Sequence, residues 1–209
     1  MKIIAPGDWH IGNLFHGNDR LSEHKHFFSW LLQRLEEQKP DALLVAGDVF
    51  DTANPSAAAQ SVYYEFLADA TRICPELKIV ISAGNHDSAF RLEAPRALLL
   101  KHNVEVRGKV KRHWVVQEEE GRWVTDYEDL MIPLIGRDGE KAVILVVPFL
   151  RSDAVEGECY SEGVNKFLRD LTKKAREKYP AVSFRRKAPD TFAPFAPPVP
   201  AAPPVRAAR

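Results

Sequence analysis

Three short motifs carry the residues that could do chemistry: Asp8-Trp9-His10, Gly47-Asp48-Val49-Phe50-Asp51 and Gly84-Asn85-His86-Asp87. Each stands where an apolar run gives way to turn residues. Between them they offer carboxylates, imidazoles and an amide oxygen, a donor set suited to divalent cations of the Mn, Mg, Zn and Fe class. Two such ions about 3.5–4 Å apart can clamp the attacking and leaving oxygens of an in-line phosphoryl transfer. A dinuclear site needs one bridging carboxylate and separate ligands on either side. Asp8 and His10, two residues apart, can chelate one ion together, and Asp48 is the natural bridge. Asn85 offers a neutral oxygen to the second ion. His86 can face the scissile phosphate as an acid or leaving-group stabiliser. Asp51, one short loop beyond Asp48, can orient His86. The candidate metal ligands are therefore Asp8, His10, Asp48 and Asn85, and the candidate catalytic residues are His86 and Asp51. Each motif alone is a common turn, but three in chain order, each with the required donor type, point to a metal site.

The elements that must position these motifs alternate. Residues 2–5 and 42–46 read as strands ending at Pro6-Gly7 and Gly47-Asp48. A third strand over 77–82 empties into Gly84-Asn85. His24, Phe27, Phe28, Leu31, Leu32 and Leu35 trace one face of a helix that Pro40 closes. Ser56 is placed to cap a second helix, and residues 91–101 predict a third. Strand, helix, strand, helix, strand, helix is the pattern of a parallel sheet covered on both faces. Ligands collect at the carboxyl ends of such strands. Beyond Val104 the short runs 104–106, 114–116, 123–124 and 130–134 predict antiparallel pairs, 142–150 a strand, and 161–178 a last helix. From Pro189 a Pro/Ala-rich segment cannot make a core and predicts an extended, disordered tail.

The chain of 209 residues has 45% hydrophobic residues and zero formal net charge, enough for one sizeable core. The neutrality hides a basic tail: residues 184–209 carry Arg185, Arg186, Lys187, Arg206 and Arg209 against Asp190 alone. Two cysteines, Cys74 and Cys159, imply neither a disulfide framework nor a zinc knuckle. The amino terminus is too short for a signal-peptide core and no apolar run approaches a membrane span. A cytoplasmic location is expected.

The motifs resemble the calcineurin-like metallophosphoesterases, whose pattern is D-x-H, G-D-x-x-D and G-N-H-[DE]. Within them, the longer strings Asp8-Trp9-His10-Ile11-Gly12, Ala46-Gly47-Asp48-Val49-Phe50-Asp51-Thr52 and Ala83-Gly84-Asn85-His86-Asp87-Ser88 are similar to the SbcD family of nuclease subunits. Gly7 replaces that family's usual serine. The resemblance covers about residues 1–180 and is weakest between 109 and 141. It implies an α/β fold, a calcineurin-like sandwich with a βαβαβ parallel core plus antiparallel strands, incomplete at the carboxyl end. It divides the chain into a nuclease domain over residues 1–183 and a tail over 184–209. It implies two divalent ions, Mn²⁺ with Mg²⁺ as the alternative, and 3′-to-5′ exonuclease and endonuclease activity on DNA with an SbcC-type ATPase. It also implies a homodimer through helices at about 56–73 and 91–101. The family supplies three further metal-binding histidines downstream, two of them in a Gly-His-X-His motif. No histidine follows His113 here. The tail is therefore read as foreign to the fold, from a frameshift or truncation, and the activity of this polypeptide as impaired.

Two alternatives stand beside the nuclease. A small-substrate phosphoesterase of the same superfamily is one. Its phosphoprotein phosphatases carry Arg-Gly after G-D-x-x-D and a glutamate after G-N-H, which Thr52-Ala53 and Asp87 do not match. A non-catalytic remnant is the other.

Overall fold

The computed structural model describes residues 1–117 and 120–182. In chain order the elements are β1 (Ile3–Ile4), a small hairpin of β2 (Leu14–Phe15) and β3 (Asn18–Asp19), α1 (Leu21–Gln38), β4 (Ala42–Ala46), α2 (Ala57–Ile73) and β5 (Lys78–Ser82). Then follow α3 (Ala89–Glu93), α4 (Arg96–Leu99), β6 (Val104–Arg107), β7 (Arg112–Gln117), β8 (Glu120–Thr125), β9 (Met131–Ile135), β10 (Lys141–Leu145) and α5 (Tyr160–Lys178). The expected boundary at 183 and the tail lie outside the described residues.

Local chemistry accounts for most boundaries. The α1 helix buries Phe28, Leu31 and Leu35 and ends at Lys39, whose left-handed φ of 44° turns the chain into Pro40. Ser56 caps α2 by accepting the Ala59 N–H at 3.1 Å. The single helix expected over 91–101 is instead α3, α4 and a 3₁₀ turn, because Pro95 brings no N–H and interrupts the ladder.

The central sheet has the order β1-β4-β5-β6, all parallel. Residues 104–106, expected in an antiparallel pair, are thus corrected to a parallel edge strand paired Ile79 to Val104 and Ile81 to Val106. The reason lies in the connection from β5, which carries two helices and is long enough for a crossover. Sequential right-handed crossovers in one direction put every intervening helix on the same face. That face buries Leu43, Val45, Ile79, Ile81, Val104 and Val106 against Phe28, Leu31, Leu35 and Phe66. The opposite face presents Leu44 and Val80 to Ile132 and Ile144 of the antiparallel β9–β10 pair and to Val146 just beyond it. Alternation along that pair turns Met131, Val143 and Leu145 outward, where α5 covers them with Phe167, Leu171 and Ala175. Helices, sheet, strand pair and helix make a four-layer sandwich, as the fold class predicted. Among the described residues β10 pairs with β9 alone and ends at Leu145, short of the expected 142–150. No helix among them is long and apolar enough to cross a membrane.

A partly buried ion network ties the layers together at the β6 edge. Asp129 receives Arg96 at 2.7 Å and Lys111 at 3.1 Å, with the Arg107 guanidinium 3.5 Å away. Arg107 also pairs with Glu105, which in turn holds Lys78. Arg107 is 5% exposed, so its partners are obligatory. Arg112 donates to the Ala154 carbonyl at 2.8 Å, and His113 pairs with Asp126. Arg107, Lys111, Arg112 and His113 are thus all engaged within the fold.

Burial opposes the charge on Asp129, but the neighbouring Arg96, Arg107 and Lys111 outweigh it and hold the carboxyl below the usual carboxylate range. A depressed folded-state pKa gives stability that is present above the unfolded value of about 3.9 and lost as pH falls through the folded one. We predict that Asp129→Asn lowers stability by roughly 1–3 kcal/mol at neutral pH, less than a fully buried pair. The difference from wild type should shrink below about pH 4. Urea unfolding at pH 7 and pH 3 checks this, and an equal difference at both would refute it.

Candidate metal centre

All three motifs lie at the carboxyl edge of the central sheet, directly after β1, β4 and β5. Backbone pairing fastens the first two together. Asp8 N–H reaches the Gly47 carbonyl at 3.3 Å, His10 N–H the Asp48 carbonyl at 2.8 Å and Ile11 N–H the Val49 carbonyl at 2.9 Å. Asp51 N–H returns to the Ile11 carbonyl at 3.2 Å. Within this stretch three non-glycine residues have left-handed backbones: Asp8 (φ 53°), His10 (φ 46°) and Asp48 (φ 40°). Such conformations cost about 1–3 kcal/mol each and persist where the surroundings over-determine them.

The third motif is fixed by two residues that sequence reasoning leaves without a role. Gly84 is required by close approach, since a Cβ there would fall 2.1 Å from Asp48 Oδ1 and 2.3 Å from the Asp48 nitrogen. Asp87 is 3% exposed, and its carboxylate accepts three backbone N–H groups: Val49 at 3.0 Å, Phe50 at 2.9 Å and Gly84 at 2.8 Å. Asp48 Oδ1 accepts the His86 N–H at 2.9 Å. The signal for Asp87 is a carboxylate three residues after Gly84, but its three partners come from two loops far apart in sequence.

His10, Asp48 and His86 each turn one ligand atom into a cluster whose atoms lie within 4.8 Å of one another. His10 Nε2 is 3.8 Å from Asp48 Oδ2, and the His10 and His86 rings meet edge-on at 5.0 Å. His10 Nδ1 is buried without a hydrogen-bond partner, although Asp51 Oδ1 lies 3.3 Å away. Two imidazoles and a carboxylate with a polar nitrogen left unsatisfied fit a divalent cation. Asp8 is exposed and lines the same open cleft of about 580 Å³ as His10, Asn13, Asp51 and His86. Asn85 is exposed on the third loop, immediately before His86.

Asp51 reaches His86 differently from the expectation. Its backbone carbonyl, not its carboxylate, accepts from His86 Nδ1 at 2.8 Å, which assigns the Nδ1 proton. That carbonyl, outweighing a small desolvation effect and helped by the charges of Asp48, Asp51 and Asp87, raises the His86 pKa above the ordinary histidine value. The Asp51 carboxylate instead faces His10 and accepts from Asn13 Nδ2 at 2.9 Å.

Two further residues brace the first loop. Trp9 is buried edge-on against Phe27, Phe28 and Phe66. His24 is spanned between the Trp9 and Arg20 carbonyls, each at 2.9 Å, so its ring supports the loop.

We predict that Asp87→Ala, which strands three backbone donors, costs about 2–4 kcal/mol, since hydrogen bonds to a charged group are the stronger kind. It should weaken divalent-metal binding as the second and third loops part. Thermal unfolding with and without metal reads both effects; a stability loss with unchanged metal affinity would show that Asp87 serves only the fold.

Residues 1–184 match the calcineurin-like phosphoesterase family. The chain is similar to the SbcD subunit of the SbcCD nuclease from Rhodobacter capsulatus, 43% identical over 158 residues that cover 75% of this chain and 37% of that protein. It is 32% identical to the corresponding SbcCD nuclease subunit of Escherichia coli K12 over 168 residues, 79% of this chain and 37% of the relative. With the Bacillus subtilis counterpart it shares 37% identity over 108 residues, 52% of this chain and 27% of the relative. The chain thus spans between about a quarter and little more than a third of the length of these curated relatives. Since the family match takes in the whole central sheet and all three of the loops that gather the donors, this chain belongs to the calcineurin-like phosphoesterases.

Proposed function

We propose that this chain is the catalytic-domain portion of a metal-dependent DNA phosphodiesterase. In this reading it is a nuclease subunit with 3′-to-5′ exonuclease and endonuclease activity, acting with an SbcC-type ATPase in DNA break and hairpin processing. The observation that carries the reading is the cluster of His10, Asp48 and His86 at the carboxyl edge of the sheet. The similarity to SbcCD nuclease subunits directs it to DNA. A small-substrate phosphoesterase shares the cluster but lacks that support.

When bound, two divalent ions, with Mn²⁺ preferred and Mg²⁺ the alternative, would supply Lewis acidity and a nucleophilic water. Asp8 and His10 would hold one ion, Asp48 would be shared, and Asn85 would serve the second. His86 presents its imidazole to the phosphate, with Nδ1 fixed on the Asp51 carbonyl so that Nε2 is the free nitrogen. The Asp51 carboxylate lies beside His10, 3.3 Å from Nδ1. The compact cluster favours a second reading, in which His86 is itself a ligand.

The described residues offer few donors for two ions that each want about six ligands. We therefore propose that this polypeptide by itself holds the second ion weakly and turns over DNA slowly or not at all, which joins the nuclease reading to that of an impaired remnant. In Mn²⁺ titration by calorimetry, wild type should show one stronger and one weak site, and His86→Ala should retain the stronger one within about threefold. In a full-length relative the same substitution should abolish cleavage. Loss of the stronger site in His86→Ala makes His86 a ligand, and two tight ions with rapid turnover in wild type would overturn the impairment.

The expected homodimer is supported by an apolar groove of about 490 Å³ between α2 and α4. Tyr64, Leu67, Leu98 and Leu99 line it, with Tyr64 and Leu98 exposed. Leu98→Glu should convert a dimer to monomer in sedimentation equilibrium, raising its dissociation constant at least about tenfold. A wild type that stays monomeric at 100-fold higher concentration than working conditions, on the order of hundreds of micromolar, sinks the proposal.

A further inference from the structure

The small hairpin β2–β3 has no part in the core, yet the residues at its base are tied to the site. Asn13, just before β2, donates to the Asp51 carboxylate at 2.9 Å, and Arg20, just after β3, lines the same cleft as Asp8, His10 and His86. The strands pair Leu14 with Asp19 and Phe15 with Asn18. The two turn residues between them, His16 (φ 49°) and Gly17 (φ 79°), both have left-handed backbones, the pattern of a tight two-residue hairpin turn. The loop is therefore short, pinned at its base and closed at its tip.

This hairpin carries two large apolar side chains into solvent: Leu14 is 64% exposed and Phe15 60%. Neighbouring strand residues point to opposite faces, so only one of the two can face the cleft. Phe15 is the one beside the cleft wall, where the guanidinium of cleft-lining Arg20 sits over its ring, 6.0 Å from the centroid. The ring's edge contact with His16, at 4.4 Å between centroids, further fixes its position. Arg20 is in turn held by Glu23, another cleft residue. An exposed aromatic face, flanked by a cation, at the rim of a phosphodiester site matches the chemistry of base stacking.

We propose that Phe15 is a positioning residue, the platform on which a nucleobase next to the scissile phosphodiester stacks. This inference rests on the DNA-directed reading above and deepens it. It explains how a cleft with polar walls would prefer nucleic acid to small phosphate esters. Stacking needs a flat ring and not a particular base, so the contact is indifferent to sequence.

The test measures binding, with the metal-free chain, to a short single-stranded DNA and to a series of the same DNA with one abasic site at successive positions. Wild type should bind the intact strand about tenfold more tightly than one member of the series. Phe15→Ala should erase that difference, and Phe15→Trp should restore it. A 2-aminopurine at the sensitive position should be quenched by wild type and by Phe15→Trp, and not by Phe15→Ala. Because Phe15 is largely exposed, both variants should keep the wild-type circular dichroism and unfolding temperature; Phe15→Leu, which keeps the apolar bulk without the flat ring, gives a second loss-of-stacking variant. If Phe15→Ala and Phe15→Leu keep the preference, or wild type shows none, the stacking role falls while DNA binding stands. If wild type binds no DNA, the DNA-directed reading falls and this inference with it.

Discussion

A single buried carboxylate, that of Asp87, gathers backbone N–H groups from two loops that lie 38 residues apart in sequence. Buried N–H groups must be paired, and an ionised carboxylate is the strongest acceptor the protein can offer them. With Val49, Phe50 and Gly84 all directed at Asp87, the second and third loops cannot move independently. Gly84 lets them approach until a missing Cβ is all that separates the third loop from Asp48. The remaining oxygens follow: Asp48 Oδ1 is satisfied by the His86 N–H, which leaves Oδ2 turned toward His10. The orientation of the candidate bridging ligand is therefore set by hydrogen bonds that take no part in chemistry.

The first loop joins this assembly by a different device, the extension of parallel pairing past the end of the sheet. Bridges at Gly7 with Ala46 and Ile11 with Phe50 carry the ladder beyond β1 and β4. The left-handed turns at Asp8, His10 and Asp48 swing side chains out of the ladder and over its edge. Local strain is thus concentrated at three residues of the candidate site. It is held in place by Trp9 in its aromatic cluster and by His24 beneath the loop. Below the loops, the consecutive crossovers leave one sheet face free of helices, and the β9–β10 pair fills it. The site edge stays open as a result, since neither covering layer closes over it.

Charge is distributed so that the β6 edge of the sheet and the cleft behave differently. Around Asp129 the cations of Arg96, Arg107 and Lys111 are consumed by structural pairing and give cohesion between the layers. At the cleft, the Asp48 carboxylate clusters with the His10 and His86 imidazoles, with the Asp51 carboxylate beside His10 and Asp8 on the wall of the same cleft. A gathering of anions with few fixed cations is costly in a free protein and is the arrangement that a divalent ion relieves. Arg20, at the rim beneath the hairpin, is held by Glu23.

The sequence by itself determined which edge of the sheet carries the three motifs. Apolar runs at 2–5, 42–46 and 77–82 end in motifs whose residue types suit metal binding, and both signals are local. It determined helices α1, α2 and α5 for the same reason, because periodicity and caps act within a few residues. Only the tertiary structure decided that residues 104–106 run parallel, since pairing direction depends on where a crossover delivers the chain and not on the strand's own composition. It alone decided that Asp51 serves His86 through a carbonyl, because main-chain groups carry no residue-specific signal. It likewise decided that Asp87 is the fastener of the site, for its partners become neighbours only when the second and third strands lie side by side.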